Sequence, residues 1–212
     1  MDGTIVDSLP SHKSAWQATF SKRGRVFIEE DFEWANGRKN EEIIPRILGQ
    51  SMSQEEVNLI AKEKEAIFRR FVKENIKALP GAVELIQSLA KAKMQLALVS
   101  STPKENIELI TEKLGIKKYF SLFINGDDVK EGKPSPRAFL LAAEKLGVEP
   151  KNCVVIEDAI VGVQAAKRAG MYCIAVTNAH PQEDISEADI VVNSLEEITV
   201  KTIEGLLSSP KK

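Results

Sequence analysis

From residue 80 onward, short apolar runs alternate with segments in which apolar positions recur every three to four residues. The runs MQLALVS, SLFI, CVVI, YCIAV and DIVV are typical of buried strands. The other segments have the spacing of amphipathic helices, among them AVELIQSLAKA, RAFLLAAEKLG and LEEITVKTIEGLL near the end of the chain. This alternation predicts an α/β fold with a doubly wound, parallel, Rossmann-like sheet covered by crossover helices.

The part of the chain before residue 79 follows a different pattern. His12, Trp16 and Phe20 are four residues apart, as on one face of a helix. The stretch EEVNLIAKEKEAIFRRFVKENI is long, amphipathic and rich in charge. Because no strand pattern accompanies these segments, we expect a separate helical module here.

The positions of these patterns predict two domains. Residues 1–8 and 79–212 would form the α/β core, and residues 9–78 a helical cap inserted after the first loop. The cap would close over that loop, with hinges near residues 8–10 and 77–81.

The charge balance narrows the classes of partner. The chain has 29 Lys and Arg against 31 Asp and Glu, so it lacks the basic excess that nucleic acid or an anionic lipid surface requires. No apolar stretch approaches the roughly 18 residues of a membrane span, and the first residues do not resemble a signal peptide. We therefore expect a monomeric, cytoplasmic protein that binds neither nucleic acid nor membranes.

Polar residues follow several of the predicted strands. In open parallel sheets, ligands bind beyond the carboxyl ends of the strands, so we expect these side chains to face one edge of the sheet. The residues in this set are Asp2, Gly3, Ser100, Ser101, Lys133, Glu157 and Asp158.

Each candidate residue also has an ordinary structural interpretation. Asp158 precedes a predicted helix and would serve as its N-cap. Lys133 would be a solvated loop lysine, and Ser100 a turn residue that ends a strand. On the cap, His12 and Trp16 would simply pack against their neighbours.

Taken together, the candidates contain the parts that phosphoryl transfer needs. Glu157 and Asp158 repel each other at the end of an apolar strand, and a divalent cation, most naturally Mg²⁺, would offset that repulsion. Lys133 would balance the remaining phosphate charge, while the Ser100 hydroxyl and nearby backbone N–H groups would orient its oxygens. A nucleophile is the one part missing from the set.

With these motifs, the sequence resembles the haloacid dehalogenase superfamily of phosphotransferases. The likeness is to the branch with a small helical cap, which contains β-phosphoglucomutase and many sugar-phosphate phosphatases, and it covers essentially the whole chain. It rests on four motifs in family order: DGTIVDS at the start, Ser100 in LALVS, Lys133 in GKPSP, and Glu157 with Asp158 in VVIEDAIVGVQAAKRAGM.

The resemblance implies Mg²⁺-dependent hydrolysis of a small phosphorylated metabolite through an aspartyl-phosphate. In the family's Asp-x-Asp motif the first aspartate attacks phosphorus, and the second, here Asp2, protonates the leaving oxygen and then activates water. Mg²⁺ would be held by the first aspartate, the Asp2 backbone carbonyl and Asp158, with Glu157 beside it. The residues implied for phosphate binding are Gly3, Ser100, Ser101 and Lys133.

The family's first strand and its terminal aspartate do not occur in this sequence, where Met1 fills the middle position of the motif. We expect the natural reading frame to begin earlier, because about five missing core residues would remove roughly 10 kcal/mol of stability. The chain as written would then lack its nucleophile and be nearly inactive. A non-catalytic phosphate-binding protein is the alternative.

The cap offers His12, Arg38, Lys39 and Asn40 as candidate substrate contacts. The family's mutases have an arginine three residues after the cap glycine, whereas Asn40 follows Gly37 at that distance. A neutral amide does not clamp a second phosphate as an arginine fork does, which favours a phosphatase. Arg38 or Lys39 as a substitute clamp keeps the mutase as an alternative.

Overall fold

The protein is an α/β structure, here in a computed structural model that describes residues 1–49 and 51–208. Helices and strands alternate from α5 onward, as the hydrophobic pattern predicts. None of the helices in the described ranges combines the length and apolar composition of a membrane span. The helices are α1 (Leu9–Ser21), α2 (Glu29–Ala35), α3 (Asn40–Leu48), α4 (Gln54–Asn75), α5 (Ala82–Lys91), α6 (Lys104–Lys113), α7 (Arg137–Leu146), α8 (Ile160–Arg168) and α9 (Val200–Ser208).

All five predicted strands are present and pair in parallel, which confirms the fold class. Leu98 of β1 is in register with Phe123 of β2, and Ile174 of β4 lies between Ile156 of β3 and Ile190 of β5. The strands are β1 (Ala97–Val99), β2 (Leu122–Ile124), β3 (Val154–Glu157), β4 (Tyr172–Val176) and β5 (Ile190–Val192).

Helices cover both faces of β4, as expected for a doubly wound fold. Cys173 and Ala175 belong to a cluster with α7 and α8, while Ile174 and Val176 pack with α5 and α9. All five residues of β4 are buried. The continuous apolar run YCIAV therefore reflects a strand that is buried on both faces.

The described strands form two sheets rather than one. β1 pairs only with β2, and β3 begins a second sheet in the order β3-β4-β5. An apolar cavity of about 410 Å³ lies between β1 and β3, lined by residues 95–99 and 152–157 and by helices α5, α7 and α9. Neither strand has a strand partner along this side in the part of the chain that the structure describes.

Helices α1 to α4 have an apolar cluster of their own, which includes Trp16, Phe20 and Ile44. A further cluster joins α1 and α4 to the rest of the molecule, since Phe68 packs with Val6 and with Ile110 of α6. The polypeptide passes between the two parts twice. These two segments run side by side, with backbone hydrogen bonds from Asp7 N to Lys77 O (3.0 Å) and from Leu79 N to Ile5 O (2.9 Å).

The last predicted helix differs from the structure. The segment LEEITVKTIEGLL is not one helix, because a 3₁₀ turn at Leu195–Glu197 precedes α9. The Glu197 carboxylate accepts hydrogen bonds from the backbone N–H groups of Asn193 and Ser194. These bonds favour the separate turn, and Ile198 then follows in an extended conformation.

Candidate active site

A cavity of about 80 Å³ lies where β1 and β3 end, beneath the helices before residue 79. Ser100 follows β1 and Asp158 follows β3, so the parallel strands deliver both side chains to the same edge. Gly3 and Lys39 are not among the residues that line the cavity. The predicted residues that do line it are Asp2, His12, Arg38, Asn40, Ser100, Ser101, Lys133, Glu157 and Asp158.

Lys133 and Glu157 form a buried ion pair at the base of the cavity. Both side chains are 7% exposed, and the Lys133 ammonium donates to Oε1 of Glu157. Oε2 of Glu157 accepts from the backbone N–H groups of Asp158 (3.1 Å) and Ala159 (3.3 Å). Burial opposes ionisation, but Lys133 holds the pKa of Glu157 below its ordinary value. Because Lys133 is buried and paired, it is not a solvated loop lysine. The peptide bond between Lys133 and Pro134 is cis.

The Glu157 side chain lies against α8, since a Cβ added at Gly162 would be 2.3 Å from the Glu157 carboxyl carbon. Both of its oxygens already have partners in the protein. The repulsion between the adjacent carboxylates, which we expected a cation to offset, is partly offset by Lys133. Glu157 therefore offers less to a metal ion than Asp158 does.

Asp158 has one free oxygen. Its Oδ1 accepts a hydrogen bond from Thr4 Oγ1 (2.6 Å), whereas Oδ2 is buried and has no hydrogen-bond partner among the residues that the structure describes. Burial, together with the charge of Glu157, raises the pKa of Asp158 to about 6. The N-cap interpretation is wrong, because α8 begins at Ile160 with Ala159 at the N-cap position.

Gly3 allows a close approach of the backbone to Asp158. Its φ is +71°, and an added Cβ would lie 2.1 Å from Oδ2 of Asp158. Any side chain at this position would collide with the free carboxylate oxygen. Gly3 thus shapes the surroundings of Asp158 although it does not line the cavity.

Asp2 is also buried and partly satisfied. Its Oδ1 accepts from Ser8 Oγ (2.5 Å) and lies 3.2 Å from His12 Nε2, while Oδ2 has no hydrogen-bond partner in the described part of the chain. Burial opposes ionisation, but His12 and the hydrogen bond from Ser8 hold the pKa of Asp2 well below its ordinary value. Asp2 is therefore an ionised carboxylate with one oxygen available.

These free oxygens decide how well the site fits Mg²⁺. Among the described residues, Asp158 Oδ2 and Asp2 Oδ2 are buried without a hydrogen bond. Asp158 Oδ2 is a hard donor of the kind that Mg²⁺ prefers, whereas the metal contact expected from Asp2 is its backbone carbonyl. Within residues 1–49 and 51–208, however, no group of three or more His, Cys, Asp or Glu side chains is arranged to hold a metal ion. The described residues thus fit Mg²⁺ as part of a ligand set.

Ser100 and Ser101 have different roles at the end of β1. The Ser100 hydroxyl accepts from Thr102 N (3.3 Å), so Ser100 both ends the strand in a turn and lines the cavity. Ser101 Oγ instead donates to the carbonyl of Gly37 (2.9 Å). Ser101 therefore binds the loop between α2 and α3, which forms the roof of the cavity.

The cationic candidates on this roof are held by protein groups. The Arg38 guanidinium lies 4.5 Å from the centre of the Trp34 ring, and its NH1 is 3.4 Å from Glu42 Oε2. Lys39 Nζ donates to the carbonyl of Val129 (2.8 Å), away from the cavity. Arg38 lines the cavity together with Asn40, whereas Lys39 does not line it.

Two charged cavity residues, Lys64 and Glu65 of α4, were missed by sequence reasoning. They are 2% and 4% exposed. Lys64 Nζ lies 2.8 Å from His12 Nδ1 and 2.9 Å from Glu65 Oε1. A signal was present, because Lys64 falls on the apolar stripe of α4 between Ala61 and Phe68. A charge at such a position has to be paired inside the protein.

His12 and Trp16 combine packing with the lining of the site. The His12 ring stacks on Phe68 with centroids 3.8 Å apart, and Trp16 stacks on Phe20 at 5.0 Å. Trp16 is 3% exposed and lies beneath Lys64. The packing interpretation holds for Trp16, whereas His12 also contacts Asp2.

Comparisons with known proteins identify the family to which the chain is similar. A sequence model of the haloacid dehalogenase-like hydrolase family matches residues 1–170. Hexitol phosphatase A of Escherichia coli (strain K12) is 34% identical over 209 residues, with 94% of this chain and 91% of that protein covered. A chloroplastic 5-amino-6-(5-phospho-D-ribitylamino)uracil phosphatase of Arabidopsis thaliana is 34% identical over 97% of this chain, which spans 56% of that protein's length. Among solved structures, β-phosphoglucomutase from Clostridium difficile has a TM-score of 0.89 at 29% identity, covering 97% of this chain and 93% of that one.

Proposed function

Because the chain belongs to the haloacid dehalogenase-like hydrolase family, we propose that it is a phosphatase of small phosphate monoesters, with a sugar phosphate as substrate. The observation that carries this proposal is the meeting of Asp2, Ser100, Lys133 and Asp158 around one cavity. These residues lie far apart in the sequence, and each supplies a group that phosphoryl transfer uses.

In the proposed reaction the protein binds the phosphate and moves a proton. The Ser100 hydroxyl and the Lys133 ammonium bind phosphate oxygens, and Lys133 remains positioned by Glu157. Asp2 Oδ2 is the atom to which we assign the proton, since it is the free oxygen of that carboxylate. The negative charge of a bound ester would raise the pKa of Asp2, which suits donation to the leaving oxygen before Asp2 activates water.

We propose that Mg²⁺ is held by Asp158, by the Asp2 backbone carbonyl and by the nucleophilic aspartate. When bound, it would neutralise charge on the phosphoryl oxygens. Glu157 is proposed to act as the partner of Lys133 beside this site.

The nucleophile is proposed to lie at the end of a strand that fills the cavity between β1 and β3. Neither strand has a described strand paired along the edge that faces this cavity, whose lining is largely apolar. Met1 lines this cavity as well as the candidate active site, so a strand that ends beside Met1 would bring a carboxylate to Asp2 and Lys133. The aspartyl-phosphate would form on that carboxylate.

The surroundings of Asn40 support a monoester substrate rather than a bisphosphate. Asn40 donates to Glu65, while Arg38 and Lys39 are held by Glu42 and Val129. With these contacts made, neither Arg38 nor Lys39 offers a second phosphate the two parallel N–H donors of a free guanidinium. A neutral polyol, which hydrogen-bonds to amides such as Asn40, suits this roof better.

The proposal is tested by extending the chain before Met1 with five apolar residues followed by Asp. We expect this protein to release phosphate from sugar phosphates in Mg²⁺, because the extension supplies both the strand and the nucleophile. A matched extension that ends in Asn should fill the cavity equally well, yet turn over on the order of 10⁴-fold more slowly.

Phosphate release and thermal unfolding are measured on both proteins and on the 212-residue chain. Higher melting temperatures for both extensions, with activity only for the Asp version, would support the proposal. A stable Asp version that releases no phosphate from any sugar phosphate would instead favour the non-catalytic binding protein.

A further inference from the structure

In the α/β part, both polar atoms of a buried asparagine side chain form hydrogen bonds with residues of α4. Asn106 of α6 is fully buried, and its Nδ2 donates to Glu65 Oε2 (2.6 Å). Its Oδ1 accepts from Arg69 NH1 (3.0 Å). Since Glu65 and Arg69 are one turn apart on α4, the Asn106 amide fixes where this helix sits on α6.

From Glu65 the polar contacts continue towards the active site. Glu65 Oε1 accepts from Asn40 Nδ2 (3.0 Å) and from Lys64 Nζ (2.9 Å). Lys64 Nζ also contacts His12 Nδ1 (2.8 Å), and His12 Nε2 lies 3.2 Å from Asp2 Oδ1. The chain of contacts therefore begins on α6, passes through the helical part and returns to Asp2.

The direction of each hydrogen bond follows from the groups involved. An ammonium group only donates, so the Lys64 contact requires His12 Nδ1 to accept. The ring proton of neutral His12 must then be on Nε2, where it is donated to the Asp2 carboxylate. Glu65 supplies the negative charge that keeps the buried Lys64 ammonium in place.

We propose that Glu65 and Asn106 are positioning residues, which fix the Nε2–H tautomer of His12 through Lys64 when α4 is docked on α6. The tautomer is a property of the folded chain. Its consequence for catalysis rests on the proposed function, because it concerns how Asp2 is held for proton transfer.

The tautomer is measured by nitrogen NMR on the 212-residue protein labelled with ¹⁵N-histidine. The chain has two histidines, so His180→Gln assigns the signals. At pH about 8 we expect His12 to show two well-separated ring signals of a single Nε2–H tautomer.

Glu65→Gln keeps the shape of the side chain, but its amide N–H₂ must face either the N–H₂ group of Asn106 or the ammonium of Lys64. Two donors then face each other. We expect the two His12 signals to move towards each other as the tautomers mix. Asn106→Leu should have the same effect through loss of docking. Glu63→Gln is the control on the same helix, because Glu63 pairs with Lys22 and Arg23 on the surface.

A rescue variant separates positioning from general loss of structure. Glu65→Gln combined with Asn106→Asp restores a donor facing an acceptor, and Asp at position 106 gains Arg69 as an ionic partner. We expect this double variant to recover the single tautomer. Unchanged His12 signals in folded Glu65→Gln and Asn106→Leu, or a double variant no better than Glu65→Gln, would overturn the proposal.

The catalytic consequence is measured in the Asp-extended protein. Glu65→Gln should lower kcat about 10- to 100-fold, because the change reaches Asp2 through Lys64 and His12. An unchanged kcat alongside mixed tautomers would overturn the catalytic part of the proposal. If the extended protein hydrolyses nothing, the proposed function fails, and the NMR comparison still tests the positioning.

Discussion

Glu157 and Asp158 are adjacent in the sequence but have opposite surroundings. Both oxygens of Glu157 are satisfied, by Lys133 and by backbone N–H groups, and its pKa is lowered. Asp158 keeps one buried oxygen free, and its pKa is raised. Glu157 thus positions the Lys133 ammonium, while Asp158 remains available to a ligand.

The ion pair predicts the response to substitution at Lys133. Lys133→Met should lower the free energy of unfolding by about 3 to 5 kcal/mol, because it leaves the buried Glu157 carboxylate without its partner. Adding Glu157→Gln to Lys133→Met should restore more than half of this loss, since no unpaired charge then remains. Urea unfolding of both variants measures the difference, and equal losses would mean that the charge of Glu157 is not the cause.

Residues that follow strands were predictable, whereas those on the roof of the cavity were less so. Ser100 and Asp158 come directly after apolar runs, so their position follows from the rule for parallel sheets. Lys64 falls on the apolar stripe of α4, but the sequence does not show that Lys64 contacts His12 or that Glu65 contacts Asn106. Long-range packing of this kind is absent from local periodicity.

At the scale of elements, the loop between α2 and α3 holds the roof against the α/β part. Gly37 has φ +77°, and an added Cβ would lie 2.9 Å from both Ala159 Cβ and Val161 Cγ2. The Gly37 carbonyl also accepts from Ser101. The α2–α3 loop therefore touches the segment just after β3, beside Asp158.

Gly37→Ala should therefore strain the backbone at residue 37 and also disturb the contact with Ala159 and Val161. We expect loss of docking of the α2–α3 loop, seen as faster hydrogen exchange there, and at least 10-fold lower turnover in the Asp-extended protein. Gly49→Ala is the matched control, because Gly49 has φ +67° and nothing within 4 Å of an added Cβ. It should lose only the roughly 1 kcal/mol of a left-handed alanine. Equal behaviour of the two variants would exclude the contact as the cause.

Strand positions and parallel pairing were predicted, but the break between the two sheets does not follow from the hydrophobic pattern alone. The apolar runs predicted each of β1 to β5, and the expectation was one sheet. The structure has two sheets, because no described strand lies between β1 and β3. Hydrophobic runs identify which segments are buried, whereas the order of strands depends on contacts between distant segments.

At the scale of the whole molecule, the two parts are joined by apolar and polar contacts together. Phe68 and Val72 of α4 pack with Ile110 of α6, and the bond between Glu65 and Asn106 lies on the same pair of helices. A buried carboxylate at such a boundary makes the docking of the two parts dependent on its ionisation.

The pH dependence follows from the pKa of Glu65. Burial raises this pKa, but the Lys64 ammonium and the hydrogen bonds from Lys64 and Asn106 outweigh burial and hold it at about 2, below the ordinary 4.5. A lowered pKa stabilises the folded state fully above pH 4.5, and this contribution is lost as the pH falls towards 2. The lowered pKa adds about 3 kcal/mol to the free energy of unfolding at pH 7 and about 1 kcal/mol at pH 3.

Urea unfolding at several pH values, compared between the native chain and Glu65→Gln, isolates this contribution. The native chain should be the more stable at pH 7, and its advantage should shrink by about 2 kcal/mol by pH 3, because glutamine does not titrate. Glu63→Gln, which lies on the exposed side of the same helix, should show a much smaller change. If the native advantage stayed constant with pH, Glu65 would not be held ionised by Lys64, and the link between docking and charge would be lost.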